Sequence, residues 1–207
     1  MWRLRRSTIK PDERLSLSLL ENANDFLDYA IKYTSESDKG NWKYALLHLA
    51  SALELLLKAL LQKEHWALLF DDVRNASKDK LEQGFFKSVD FVTAMNRLTS
   101  INGLDLSEHN KYLTKIQDIR NRIMHFAVDI HIEEVKSIAA RGINTFIVLS
   151  RYRSNDPARE HELNKRLVEF QKFVDLRVAC LKTELDAAER PSKYFSMCPL
   201  LSKNADS

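Results

Sequence analysis

Apolar residues along this chain return at intervals of three and four far more often than at intervals of two, and that rhythm predicts helices. Leu15, Leu19, Ala23, Phe26, Leu27, Ala30 and Ile31 form the first stripe, opened by Pro11 and Asp12. The charged cluster from Ser35 to Asn41, with Gly40 in it, ends that element. From Trp42 to about Leu69 the sequence WKYALLHLASALELLLKALLQKEHWALL puts leucine or alanine on nearly every side of the helical wheel. A helix apolar all round belongs at the centre of a helical fold.

Beyond it, residues 71–83 are polar with sparse apolar anchors, and Gly84 breaks them. FFKSVDFVTAMNRLTSI reads as a shorter helix that ends near Asn102 and Gly103. Ser107 is the expected N-cap of the next helix, which runs to about Phe126. Asp129 opens another through Arg153, with Val135, Ile138, Ala139, Ile143, Phe146 and Ile147 on its apolar stripe. Ser154, Asn155, Asp156 and Pro157 mark a boundary, and Pro157 suits the first position of a long charged helix to about Glu189. The expected organisation is a helical domain over residues 1–156 with a basic N-terminal arm, a long C-terminal helix over 157–190 packed on the same domain, and a tail over 191–207.

Composition sharpens the fold class. Four glycines and four prolines in 207 residues make about 4%, against roughly 12% in ordinary proteins. Barrels, sandwiches and glycine-rich nucleotide folds need more tight reversals than that. The expectation is all-α: an antiparallel bundle of about four to five helices with a C-terminal helical extension, three quarters or more of its ordered residues helical.

Charge changes the picture less. Thirty-two Lys plus Arg against 29 Asp plus Glu give a formal charge of +3, short of the concentrated excess that marks a dedicated nucleic-acid binder. The arm carrying Trp2, Arg3, Arg5, Arg6 and Lys10 reads as a solvated terminus with one anchoring tryptophan. It lacks the apolar core of a secretory leader. No uncharged apolar run approaches about 18 residues, so no membrane span is expected and the setting is cytoplasmic. Cys180 and Cys198, with no CxxC spacing, are expected as free thiols.

The usual catalytic fingerprints are absent: no glycine-rich phosphate loop, no HExxH, no GxSxG and no dinucleotide motif, so neither a cofactor nor a metal is expected. His65, His109 and His161 sit in polar surroundings and read as surface residues, His131 starts a helix, and His48 reads as a satisfied core or interface histidine. Glu54 interrupts the apolar helix and needs a cationic partner or an edge position.

The helix SEHNKYLTKIQDIRNRIMHFAVD is the informative one. At roughly 100° per residue, Tyr112, Ile116, Ile119, Ile123 and Phe126 share one face, while Asn121 and His125 stack on the opposite side. Arg120, about 140° around from His125, flanks Asn121, with Gln117 and Met124 on the same outer side. Arginine grips phosphate bidentately, histidine moves protons near neutral pH, and an asparagine amide can orient either. One helix surface has no pocket, so catalysis calls for a second wall, which a two-fold dimer through Gln117, Asn121, Met124 and His125 would supply. Surface or structural roles for Arg120 and His125 stand open beside that reading.

RNRIMH, Arg120 to His125, resembles the R-x4-H signature of the HEPN proteins, a helical group of higher eukaryotes and prokaryotes. YALLHLASALELLLKALL, Tyr44 to Leu61, is similar to that group's long helix with its embedded acidic residue, here Glu54, and the similarity spans residues 12–150. The resemblance implies a dimer with facing signature helices and, in many members, a metal-independent endoribonuclease of toxin–antitoxin or defence systems. His125 would transfer the proton, Arg120 would hold the phosphate, Asn121 would position substrate or His125, and Glu54 would brace Arg120. Members silenced by AMP carry a tyrosine two residues after the histidine; Ala127 stands there, so the expectation is an antitoxin or regulatory protein that blocks the cleft, or a family role outside that subgroup. A non-catalytic module binding a nucleotide or protein in the same cleft is the alternative the resemblance allows.

Overall fold

The computed structural model describes residues 15–35 and 39–152, together with Val168. The N-terminal arm, Pro11, Asp12, the rest of the 157–189 segment with His161 and Cys180, and the tail with Cys198 lie outside the described residues. Among those described, six helices form: α1 (Leu19–Ser35), α2 (Lys39–Glu64), α3 (Lys78–Gln83), α4 (Phe91–Asn102), α5 (Ser107–His125) and α6 (Ile132–Arg151). Helix accounts for 79% of the described residues and strand for none, in line with the all-α expectation. One isolated antiparallel bridge joins Phe70 to Ser88.

Capping chemistry moves several boundaries. Residues 15–18 are not helical, so α1 opens at Leu19 and not at Pro11 and Asp12. The Ser18 N–H donates to Glu21 Oε2 at 2.8 Å and the Glu21 N–H to Ser18 Oγ at 3.2 Å, a reciprocal pair that satisfies two end donors. Those bonds hold the Glu21 carboxyl below the usual carboxylate range. α2 begins at Lys39 and takes Gly40 into its first turn. It ends at Glu64, five residues before the expected Leu69. His65 turns extended there, and its Nδ1 accepts the Ala67 N–H at 3.2 Å, capping a short 3-10 turn over Trp66–Leu69.

α2 is the core helix. Leu46, Leu49, Leu53, Leu56, Leu57 and Leu61 are all fully buried, and α1, α4, α5 and α6 all pack on it. Each buried leucine contributes about 1.5–3 kcal/mol of transfer free energy. Contrary to the sequence expectation, Asn41–Glu64 is long and apolar enough, by length and composition, to cross a membrane, with a mean hydropathy of 1.6. A core helix meets the same test, and 56% of the apolar window is buried inside the fold.

The segment between α2 and α4 is more ordered than its polarity suggested. α3 and a second 3-10 turn, Val73–Asn75, occupy it. From α4, the Arg97 guanidinium donates to the carbonyls of Leu68 (2.7 Å), Phe70 (2.6 Å) and Asp71 (2.7 Å), pinning the connection. α4 starts at Phe91 instead of Phe85, because Asp90 caps it by accepting the Thr93 N–H at 2.9 Å and hydroxyl at 2.7 Å. Gly103, at φ 64°, closes it; only glycine holds that conformation cheaply.

Ser107 is the first helical residue of α5 and not its N-cap, a position Leu106 holds. The Ser107 N–H is instead satisfied by Asp105 Oδ1 at 2.9 Å. α2, α5 and α6 meet at Gly142, where a Cβ would lie 2.6 Å from Ile116 Cδ1 and 2.8 Å from Leu49 Cδ2. α6 itself begins at Ile132, three residues after Asp129, with His131 in the N-cap position.

Candidate functional site

Three polar side chains in the first half of α5 engage α6. His109 Nδ1 lies 3.0 Å from Thr145 Oγ1, so His109 is half-buried and bonded, not the surface residue expected. The Arg141 guanidinium sits 4.3 Å above the Tyr112 ring. Lys115 Nζ reaches Glu134 Oε1 at 3.2 Å. Leu113, Ile116 and Ile119 carry the buried stripe.

The second half is different. Arg120 is half-buried, and its Nη1 donates to Asn121 Oδ1 at 3.0 Å. Asn121 and His125 are exposed, and His125 has no hydrogen-bond partner among the described residues. Its ring meets only Phe126, edge to face, at 6.5 Å between centroids. Phe126 lies on the cleft side with Ile119 and Ile123, as expected, but it is not buried. The chain leaves the helix there in extended conformation, which turns the ring out to 77% exposure beside Met124 at 55%. Gln117 is half-buried and its Nε2 is enclosed without a partner.

The structure therefore joins Arg120 to Asn121 and leaves His125 apart. Five helical residues separate the two signature side chains by about 140° around the axis and about 7.5 Å along it. Glu54 joins neither: it pairs with Lys58 at 2.7 Å, and Lys58 also donates to Ser88 at 3.0 Å. The cause is the opposite run of α2 and α5. Ile116 is level with Leu49, whereas Ile119 and Ile123 share a cleft with Leu46 and Trp42. Glu54 lies eight residues past Leu46, about 12 Å along the axis, so it cannot brace Arg120.

That cleft, of about 460 Å³, opens beside the end of α5. Trp42, Leu46, Ile119, Ile123 and Phe126 give it apolar walls, and Lys43 and Asp129 supply its charged side chains. Among the described residues no three His, Cys, Asp or Glu side chains converge as metal ligands would.

A second surface feature escaped the sequence reading. His48 is half-buried in a cluster with Phe26 (5.5 Å between centroids), Tyr29 (5.6 Å) and Tyr33 (5.4 Å, nearly parallel). Tyr44 continues it, 5.7 Å from Tyr33. Desolvation pushes the His48 imidazole below its ordinary range, opposed by the nearby Asp25 carboxylate. The signal was present in the spacing: residues 26, 29 and 33 on α1 and 44 and 48 on α2 each share a helix face.

Compared with known proteins, the chain matches no family model, no curated protein and no solved structure.

Proposed function

We propose that the chain is a metal-independent endoribonuclease of the toxin or defence type, cutting single-stranded RNA at a site completed by a second copy across a two-fold dimer cleft. One observation carries the reading. At the end of α5 an arginine already oriented by Asn121 stands within two turns of an exposed histidine that has no hydrogen-bond partner among the described residues. The reading includes an antiparallel helical bundle with a C-terminal extension, a cytoplasmic setting, and a regulatory protein that covers the cleft.

The chemistry follows from the groups. His125 takes the proton of a ribose 2′-OH, whose oxygen attacks the adjacent phosphorus. The bond from phosphorus to the 5′-oxygen breaks, and that oxygen takes a proton from an imidazolium. The products are a 2′,3′-cyclic phosphate and a 5′-hydroxyl. Arg120 stabilises the charge gathered on the phosphoryl oxygens, and Asn121 fixes the guanidinium that does so. The need for a 2′-OH selects RNA over DNA. Because Arg120 and His125 diverge on one helix, the dimer brings a second set of the same groups into reach. Exposed Met124 and Phe126 offer the apolar contact for it.

The test is single-stranded RNA and DNA of one sequence, incubated with the protein in EDTA. Cut RNA with cyclic-phosphate ends and intact DNA support the proposal, with a dimer in sedimentation that Met124→Glu dissociates. Cleavage that requires a divalent metal, or a monomer with full activity, contradicts it. Nucleotide or partner binding without cleavage, lost in Arg120→Ala, is the outcome that selects the non-catalytic module.

A further inference from the structure

The aromatic cluster on α1 and α2 packs against the core through Phe26 and Tyr33 and reaches the surface at its ends. Its two end members, Tyr29 and Tyr44, remain 45% and 46% exposed. Each has an ammonium group over one face of its ring, Lys32 Nζ 6.0 Å from the Tyr29 centroid and Lys43 Nζ 5.6 Å from that of Tyr44. Between them Tyr33 and His48 stack nearly parallel, 10° apart. A row of partly open rings bordered by lysines has the two recognition elements of a single strand of nucleic acid: faces for bases and cations for phosphates.

The row also leads somewhere. Lys43 lines the cleft that Phe126 closes on the other side, and Phe126 adjoins His125. From Tyr29 through His48, Tyr33 and Tyr44, the line of rings reaches that cleft at Lys43, and Phe126 in the same cleft contacts the exposed His125. We infer that Tyr29, Tyr33, Tyr44 and His48, with Lys32 and Lys43, form a base-stacking track that receives single-stranded RNA and feeds it toward His125. The inference rests on the proposed RNA substrate and adds to it the surface that binds the strand outside the cutting site.

A second copy of the chain fits this surface less well. A two-fold contact centred on the patch would bring the lysine at one end toward the partner's lysine at the other, like charge on like charge. The Asp25 carboxylate acts on His48 in the middle of the row, while the two lysines stand at its ends. The small net charge is consistent with a track that holds a few bases by stacking and not by broad phosphate contact.

The experiment uses a labelled single-stranded oligonucleotide with 2′-O-methyl groups, which binds but cannot be cleaved, read by fluorescence anisotropy at one fixed salt concentration. The double variant Tyr29→Leu with Tyr44→Leu keeps apolar bulk and removes the rings. Its affinity should fall about tenfold or more, as loss of a base stack of ~1–3 kcal/mol predicts. The double variant Tyr29→Phe with Tyr44→Phe should bind like the wild type. Circular dichroism melting and sedimentation accompany each variant. If the leucine pair melts early, Tyr44→Leu alone is read, with a several-fold loss expected.

Unchanged affinity in the leucine variants overturns the track, as does a wild type that does not bind. A loss that simply follows dissociation of a dimer also overturns it and assigns the patch to contact between copies. Cleavage is scored separately on unmodified RNA. Ring-dependent binding without cleavage removes the nuclease proposal and keeps the track, whereas cleavage with ring-independent binding does the reverse.

Discussion

The two halves of α5 put their polar side chains to opposite uses. His109, Tyr112 and Lys115 in the first half each engage a residue of α6: Thr145, Arg141 and Glu134. In the second half, among the described residues, Arg120 bonds only its neighbour Asn121, and His125 meets only Phe126. Both halves present the same kinds of side chain and share one apolar stripe, so composition does not separate them. The neighbour does: α6 covers the first half, while the second ends beside an open cleft. Polar groups that the fold leaves without partners are the ones available to a ligand, and that contrast can be broken by mutation.

The largest effect is expected at Arg120. Arg120→Ala should lower RNA cleavage by about 10²–10³-fold, the usual effect of removing a donor that stabilises developing charge, with the melting temperature little changed. Single-turnover cleavage at saturating RNA checks it; wild-type rates would erase the distinction between the halves. Gly142→Ala tests the packed side. The added methyl meets Ile116 and Leu49, both fully buried, and overpacking of this kind costs about 1–3 kcal/mol. Urea unfolding should show that loss while activity per folded molecule stays constant.

His109→Ala should invert the Arg120 result on the same helix. Removing a half-buried bond to Thr145 costs about 0.5–1.5 kcal/mol, seen as a lower denaturation midpoint, and leaves cleavage intact. A cleavage defect without a stability loss would place chemistry in the half that the fold already occupies. Asp90→Ala, outside α5, sets the scale for a purely structural change: loss of the α4 cap costs about 1 kcal/mol. The bonds to Thr93 hold the Asp90 carboxyl below its ordinary range. Its contribution is therefore present at neutral pH and disappears as pH falls below about 4, through the lowered folded value. Wild type and Asp90→Ala should converge in stability under acid; a gap that persists there would contradict the cap.

The central helix was legible because leucine on every side of a wheel admits one placement, and Leu46 to Leu61 occupy it. Its ends were harder to read. The S-x-x-E spacing of Ser18 and Glu21 announces the start of α1, yet Pro11 and Asp12 offer a competing start of the same chemistry. No pattern announces that His65 caps a 3-10 turn, because a histidine ring rarely serves as a cap. Asn121 and His125 lie on the exposed side of α5 as the wheel indicates, and Arg120 at its edge is half-buried. The wheel could not reveal Glu54's distance from Arg120, since that depends on the opposite run of two helices and not on either pattern. Lys58, one turn along, was the nearer cation.

The most direct measurement is cleavage of single-stranded RNA in EDTA by wild type and His125→Ala, each verified as folded by circular dichroism. His125 is exposed and engages no hydrogen bond among the described residues, so its loss should leave the melting temperature in place. The rate should fall about 10²–10⁴-fold, the range of a general acid–base contribution. An alanine variant that cuts as fast as the wild type would contradict the account at its centre.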